Sequence, residues 1–366
     1  MKTIKSIFLL AFATVALTGC LGDPPVYHQE NIAVIINEGN FSDQNGSISY
    51  YYEESKVVEN DILKRANNNT DLGAIIQSVT LVSDGTMYVV CNSADKIEVF
   101  DVSNGKRLMT PYTGADLATP RYLTGDSHYL YITNWGEGVD GGFGWMTFPN
   151  AYVLVLDRSN NWATNRKIPC GSDAEEILYL NNNLYVATGE GVAVINPSTD
   201  QLSLISTPAG LSGGAKSFAL SAGNKLWVSY PDDQKLVAIN LVDNSVVGTY
   251  SMPLDWTGKI TFNYAGTKIY SYKTEFDMSY SPLWAAIYEF DVAGNSYKEF
   301  YRGVGGSYFY SVGVSPNTDY VYTADVNSFM GNSRLIVLDA SGNKIDENTV
   351  GVGTSGMRFL SFLKQE

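Results

Sequence analysis

The chain holds little of the raw material from which common catalytic and metal sites are built. Its histidines are His28 and His128 and its cysteines are Cys20, Cys91 and Cys170. A Ser-His-Asp triad or a His-ligated zinc needs imidazole held beside a partner. One histidine follows a Pro-Pro segment and the other sits in the turn GDSHY, so neither offers that. No Gly-rich phosphate loop, G-x-S-x-G elbow or HExxH helix occurs. GVDGGFG at 138–144 crowds glycines between strands rather than at a helix start and reads as a flexible cover. Glu137, Asp140 and Asp277 are isolated acids with nothing in the sequence to fix their geometry for acid/base work or Ca²⁺. No cofactor and no enzymatic activity are expected.

Two other sets of residues do suggest chemistry, and it is binding chemistry. Gln77, Arg121, Glu175, Lys216, Lys259, Tyr310 and Arg358 recur near the first residues of successive apolar runs. In a chain of formal net charge −14, four cations against one or two acids is a local reversal. It favours a ligand with anionic or carbonyl-rich edges. The second set is aromatic and sits in four long connections, 39–46, 135–151, 275–284 and 325–333. Phe41, Trp135, Phe143, Trp145, Tyr280 and Trp284 belong to it, as do Met146, Phe148, Phe276, Met278, Phe329 and Met330. Large rings in insertions on one face read as a recognition surface, or as caps on the cores beneath.

The elements that would position both sets are repeated strands. IAVIIN at 32–37, MYVVCN at 87–92, LYITNW at 130–135, LYVATG at 184–189, LWVSYP at 226–231, IYSYKT at 269–274 and VYTADV at 321–326 share one form. Their starts are 55, 43, 54, 42, 43 and 52 residues apart. A second alternating run follows each, as in KIEVFDV at 96–102 and RLIVLDA at 334–340, and period-two alternation of β-branched and aromatic residues means strands. A third run precedes every segment but the first, and the missing one reappears at the C-terminus as MRFLSFL, 357–363. A ring closes in this way without leaving a sheet edge. The fold expected is all-β: a seven-bladed β-propeller of four-stranded units with one-plus-three closure. In such blades the connection between second and third strands emerges on the same face as the link to the next blade, so the aromatic insertions and the charged strand starts should share one mouth.

The N-terminus is an address. Lys2 and Lys5 precede an apolar run, and LTGC at 17–20 resembles a bacterial lipobox in which Cys20 carries the lipid. The domains expected are a signal peptide at 1–19, a tether at 20–30 and the propeller at 31–366, leaving the mature chain at −16. The run is too short to span a bilayer. That charge repels nucleic acid and anionic membranes, so membrane contact should be through lipid only. Cys91 and Cys170 remain as core or rim thiols that could pair.

NEGNFSDQNGSISYY at 37–51, KIEVFDV at 96–102, TPRYL at 119–123 and LYITNWG at 130–136 resemble the YncE-like propeller lipoproteins of Bacteroidetes outer membranes. The resemblance covers about residues 31–363. It implies a cell-surface lipoprotein similar to those that capture vitamin B12 over a TonB-dependent transporter. A corrinoid is then the first ligand expected, and a ferric siderophore the second. Haem, a propeller lactonase or other hydrolase, and an adhesive surface protein are lesser readings. The ligand-binding residues expected are Arg121, Lys216, Lys259, Arg358, Trp135, Phe143, Trp145, Tyr280 and Trp284.

Overall fold

A computed structural model describes residues 27–142, 146–221 and 223–365. Cys20, Phe143 and Trp145 lie outside the described residues. The chain forms seven antiparallel blades around one axis, each with its first strand innermost. In the first blade the inner strand is the C-terminal Thr354–Gln365, followed outward by Tyr27–Asn37, Ser47–Tyr52 and Val57–Glu59. The closing ladder runs from Tyr27 opposite Gln365 to Asn37 opposite Thr354. The ring therefore closes as the missing strand predicts, and the closing ladder takes in residues 27–30 as well.

The alternation within strands explains why a ring forms. Ile32, Val34 and Ile36 pack against the second blade, while Ala33 and Ile35 of the same strand pack against the seventh. Every core cluster lies between two neighbouring blades, so no blade buries both faces until its neighbours are present. The repeated aromatic of the second strands is the centre of this packing: Tyr88, Tyr131, Tyr185, Trp227, Tyr270 and Tyr322 are all buried. Burying a phenol requires a partner for its hydroxyl. Tyr131 donates to Asp126 at 2.9 Å and Tyr322 to Glu53 at 2.8 Å.

Turn chemistry repeats with the blades. After the third strands Asp101, Asp157, Asn196, Asn240, Asp291 and Asp339 each accept the N–H two residues on, at 2.8–3.0 Å. One blade departs from the expected four strands. In the second, the outer edge is reduced to two bridges, Phe100 with Arg107 and Ile97 with Tyr112. Pro111, between those bridges, has no N–H to give to a ladder. Cys91 and Cys170 are free, buried in different inter-blade clusters, and burial pushes both thiols up to about 12. They do not pair. Among the described residues no helix is long and apolar enough to cross a membrane.

Candidate functional site

The inner strands do not begin as regular ladder. Glu175 and Glu176 both face Ala187: the Glu175 amide donates to the Ala187 carbonyl at 2.8 Å, and the Ala187 amide donates to the Glu176 carbonyl at 2.9 Å. Lys216 and Ser217 face Ser229 in the same two-against-one manner, at 3.1 and 3.0 Å. Register shifts mark the same interval at Arg121–Tyr122 and at Tyr310–Ser311. Bulges of this kind defeat the up-down alternation of a strand. Consecutive residues consequently both line the axial channel, one at the mouth and the next a level deeper.

Gln77, Arg121, Glu175, Lys216, Lys259 and Tyr310 thus meet in one cavity of about 210 Å³ at the mouth. Trp135 joins them from its loop. Arg358 lies one level deeper than expected, in a smaller cavity of about 70 Å³ with Ser78, Glu176 and Ser217. There its guanidinium donates to the carbonyls of Val79 and Met357, both at 2.9 Å.

The cationic ring expected from the strand starts is not what forms. Arg121 is paired with the buried carboxylate of Glu175 at 3.0 Å and also donates to the Gln77 amide oxygen. Lys216 reaches the same Glu175 at 3.3 Å. Glu38, Glu176 and Asp255 add acids that the strand starts do not reveal. Burial raises the Glu38 carboxyl, with Lys259, Arg121 and a hydrogen bond from Tyr310 opposing the rise. Burial likewise lifts Glu176, against bonds from Phe218 N–H and Ser217. It brings Asp255 up to about 6 despite backbone donors and Lys259. Burial also lowers Lys259 to about 8, with Glu38 and Asp255 opposing and Arg358 and Arg121 reinforcing. Glu38, Glu175 and Glu176 line the channel beside Arg121, Lys216, Lys259 and Arg358, with Asp255 acting on Lys259 from outside its lining, so the channel is not an all-cation ring.

Aromatic rings frame the mouth. The Arg121 guanidinium lies 4.0 Å from the ring centroid of Trp135, which also packs against Phe148 at 4.5 Å. Tyr310 carries Lys259 at 4.7 Å and packs against Phe329 at 5.0 Å and Trp256 at 6.0 Å. Phe41 and Trp256 are exposed by 76% and 61%, an unusual amount for such rings beside a cavity. Two polar atoms of the wall are buried without a partner among the described residues: the Trp135 indole N–H and the Asn92 side-chain oxygen. One is a donor and the other an acceptor.

Tyr280 and Trp284 are not brought to this cavity. The sixth blade's second and third strands run on to Phe276 and resume at Pro282. Tyr280 therefore stands exposed at the tip of a tall hairpin, and Trp284 turns to a groove on the blade's flank beside Tyr288 and Tyr297. Trp256, Tyr122, Glu38 and Asn92 also line the cavity, and the sequence carries no sign of that. Trp256 lies in an inter-blade link rather than an insertion, and Glu38 reads there as an ordinary loop acid. The doubled acid of AEEIL at 174–178 was the one available sign of a bulge.

Residues 33–351 match a family described as a domain of unknown function, DUF5074. The chain belongs to that family. No curated protein matches it. Among solved structures it is similar to the periplasmic gluconolactonase PpgL of Pseudomonas aeruginosa, at 15% identity and a TM-score of 0.63, covering 91% of this chain and 99% of that one. It is also similar to a quinonprotein alcohol dehydrogenase-like protein of Bacteroides thetaiotaomicron, at 12% identity and a TM-score of 0.64, covering 89% and 77%. Apo AztD of Citrobacter koseri follows at 11% and 0.59, covering 91% and 98%. At these identities the likeness is one of fold.

Proposed function

We propose that the protein is a non-enzymatic binding propeller, lipid-anchored through Cys20 at the outer-membrane surface, that captures a large amphipathic nutrient and passes it to a TonB-dependent transporter. The ligand class is a corrinoid such as cobalamin. The observation that carries the binding reading is the mouth itself: exposed rings of Trp256 and Phe41 around a cavity in which Arg121 and Lys216 are already paired with Glu175 and whose wall keeps, among the described residues, an unpartnered donor and acceptor. The cavity lies below the roughly 300–1,000 Å³ of pockets that enclose a drug-sized molecule. A macrocycle would lie across the rings and insert one amide-bearing edge. Primary amides offer both a donor and an acceptor, which suits Asn92 and Trp135. A multiply anionic ferric siderophore is less well served, because Glu175 has already claimed Arg121 and Lys216.

Calorimetric titration with cyanocobalamin tests this. One-to-one binding with little dependence on ionic strength is expected, since no net charge is neutralised. Absence of corrinoid binding, together with tight and salt-sensitive binding of a ferric catecholate, would replace the ligand class.

A further inference from the structure

Lys259 differs from the other cations of the channel. Arg121 and Lys216 share a carboxylate, whereas among the described residues no carboxylate forms an ion pair with Lys259. Its ammonium donates to the Ser355 carbonyl and rests on the Tyr310 ring. It also lies at the junction of the channel, lining both the mouth cavity and the deeper one, a position shared with Gln77 and Tyr122. A small molecule entering from the mouth meets this amine before the channel narrows. The groups that act on it are named by their charge: Glu38 and Asp255 support the ammonium, while Arg358 and Arg121 oppose it. Tyr310 and Glu176 face the same space.

We propose that Lys259 is a nucleophilic amine that captures small aldehydes in the axial channel as a reversible imine. Desolvation together with neighbouring cations is the general way in which a protein keeps a lysine amine uncharged enough to attack a carbonyl. The depressed value near 8 agrees with that setting. In the forward step the Nζ lone pair bonds to the aldehyde carbon and the carbonyl oxygen takes a proton, giving a carbinolamine. Loss of that hydroxyl as water and of the remaining N–H proton leaves the C=N bond. Glu38 lines the same cavity and carries a raised carboxyl, and it is the acid assigned to these proton transfers. No oxidant or reductant is needed. The inference does not rest on a corrinoid being the ligand of the mouth.

The test uses pyridoxal as the aldehyde and cyanoborohydride, whose hydride reduces the imine to a stable secondary amine, with peptide mass mapping as the readout. Exposed Lys225 serves as the reference within the same digest. At pH 7.5 Lys259 is expected to be modified at least about tenfold faster than Lys225, because far more of it is uncharged. Its pH midpoint should fall near 8, and Glu38→Gln should move that midpoint further down by removing an acid that supports the ammonium. Lys259→Arg should abolish the fast modification. Should that variant fail to fold, the comparison of two lysines within the wild-type protein still decides the matter. Modification of Lys259 no faster than Lys225, or a midpoint near 10.5, would overturn the proposal. Because no corrinoid is present, this result is separate from the outcome of the cobalamin titration.

Discussion

The same pair of residues occurs twice on the aromatic side of this propeller with opposite consequences. Arg121 lies over Trp135 at 4.0 Å, and Arg302 over Trp284 at 4.4 Å. At the axis the guanidinium is 13% exposed and bound to Glu175, which is 8% exposed. On the flank the guanidinium and its partner Glu299 are 44% and 39% exposed. Position within the blade makes the difference. A residue opening an inner strand is enclosed by six other blades, whereas one opening a third strand is sheltered only by its neighbour. The first setting has a low local dielectric, where a fixed charge pair acts strongly on its neighbours. The second packs a surface, where an ion pair contributes little.

The largest test of that comparison removes the enclosure. Deleting residues 357–366 takes away the inner strand of the first blade, including Met357 and its packing against the seventh. The protein should become insoluble or lose most of its thermal stability, read by scanning calorimetry. Unchanged melting would mean that the axial wall does not depend on closure.

A smaller effect separates the two ion pairs. Glu175→Gln leaves Arg121 and Lys216 facing each other across a confined space, and should cost close to the lower end of the about 3–5 kcal/mol typical of a broken buried pair. Glu299→Gln should cost under about 1 kcal/mol. Urea denaturation of both variants measures the difference. Equal costs would show that the mouth is as well solvated as the flank.

Much of this architecture is visible in the sequence because regular strands write their burial at period two. The aromatic of MYV, LYI and LWV marks the inter-blade core, and the stray terminal strand marks closure. Arg121, Lys216, Lys259 and Glu175 are found together because the inner strands start at one height. Bulges are what the sequence hides. Alternation sends Glu176 and Tyr122 away from the axis, while the structure turns both toward it. The counting of charges fails for the same reason, since Glu38, Glu176 and Asp255 come from neighbouring positions and links. Tyr280 and Trp284 look equivalent to Trp135 as loop aromatics, and only the height of the sixth blade's hairpin separates them.

The axial setting also predicts a pH signature with no counterpart on the flank. Asp255 is buried, and its carboxyl is raised to about 6 from an unfolded value near 3.8. The folded state therefore holds the proton more tightly. The associated stability is fully present below about pH 4 and is lost as pH rises through about 6. Asp255→Asn should flatten the dependence of stability on pH across that window, an effect of about 3 kcal/mol. A slope unchanged by the substitution would contradict the buried placement of this acid.

The central claim is that the axial mouth, and not the aromatic flank, binds the ligand. Side-by-side calorimetric titration of cyanocobalamin into Trp135→Ala and Trp284→Ala tests it most directly. The account predicts a loss of about 1–3 kcal/mol for Trp135→Ala, as for an aromatic anchor at the centre of an interface, and wild-type affinity for Trp284→Ala. Undiminished binding by Trp135→Ala with loss in Trp284→Ala would contradict it and move the site to the flank of the sixth blade.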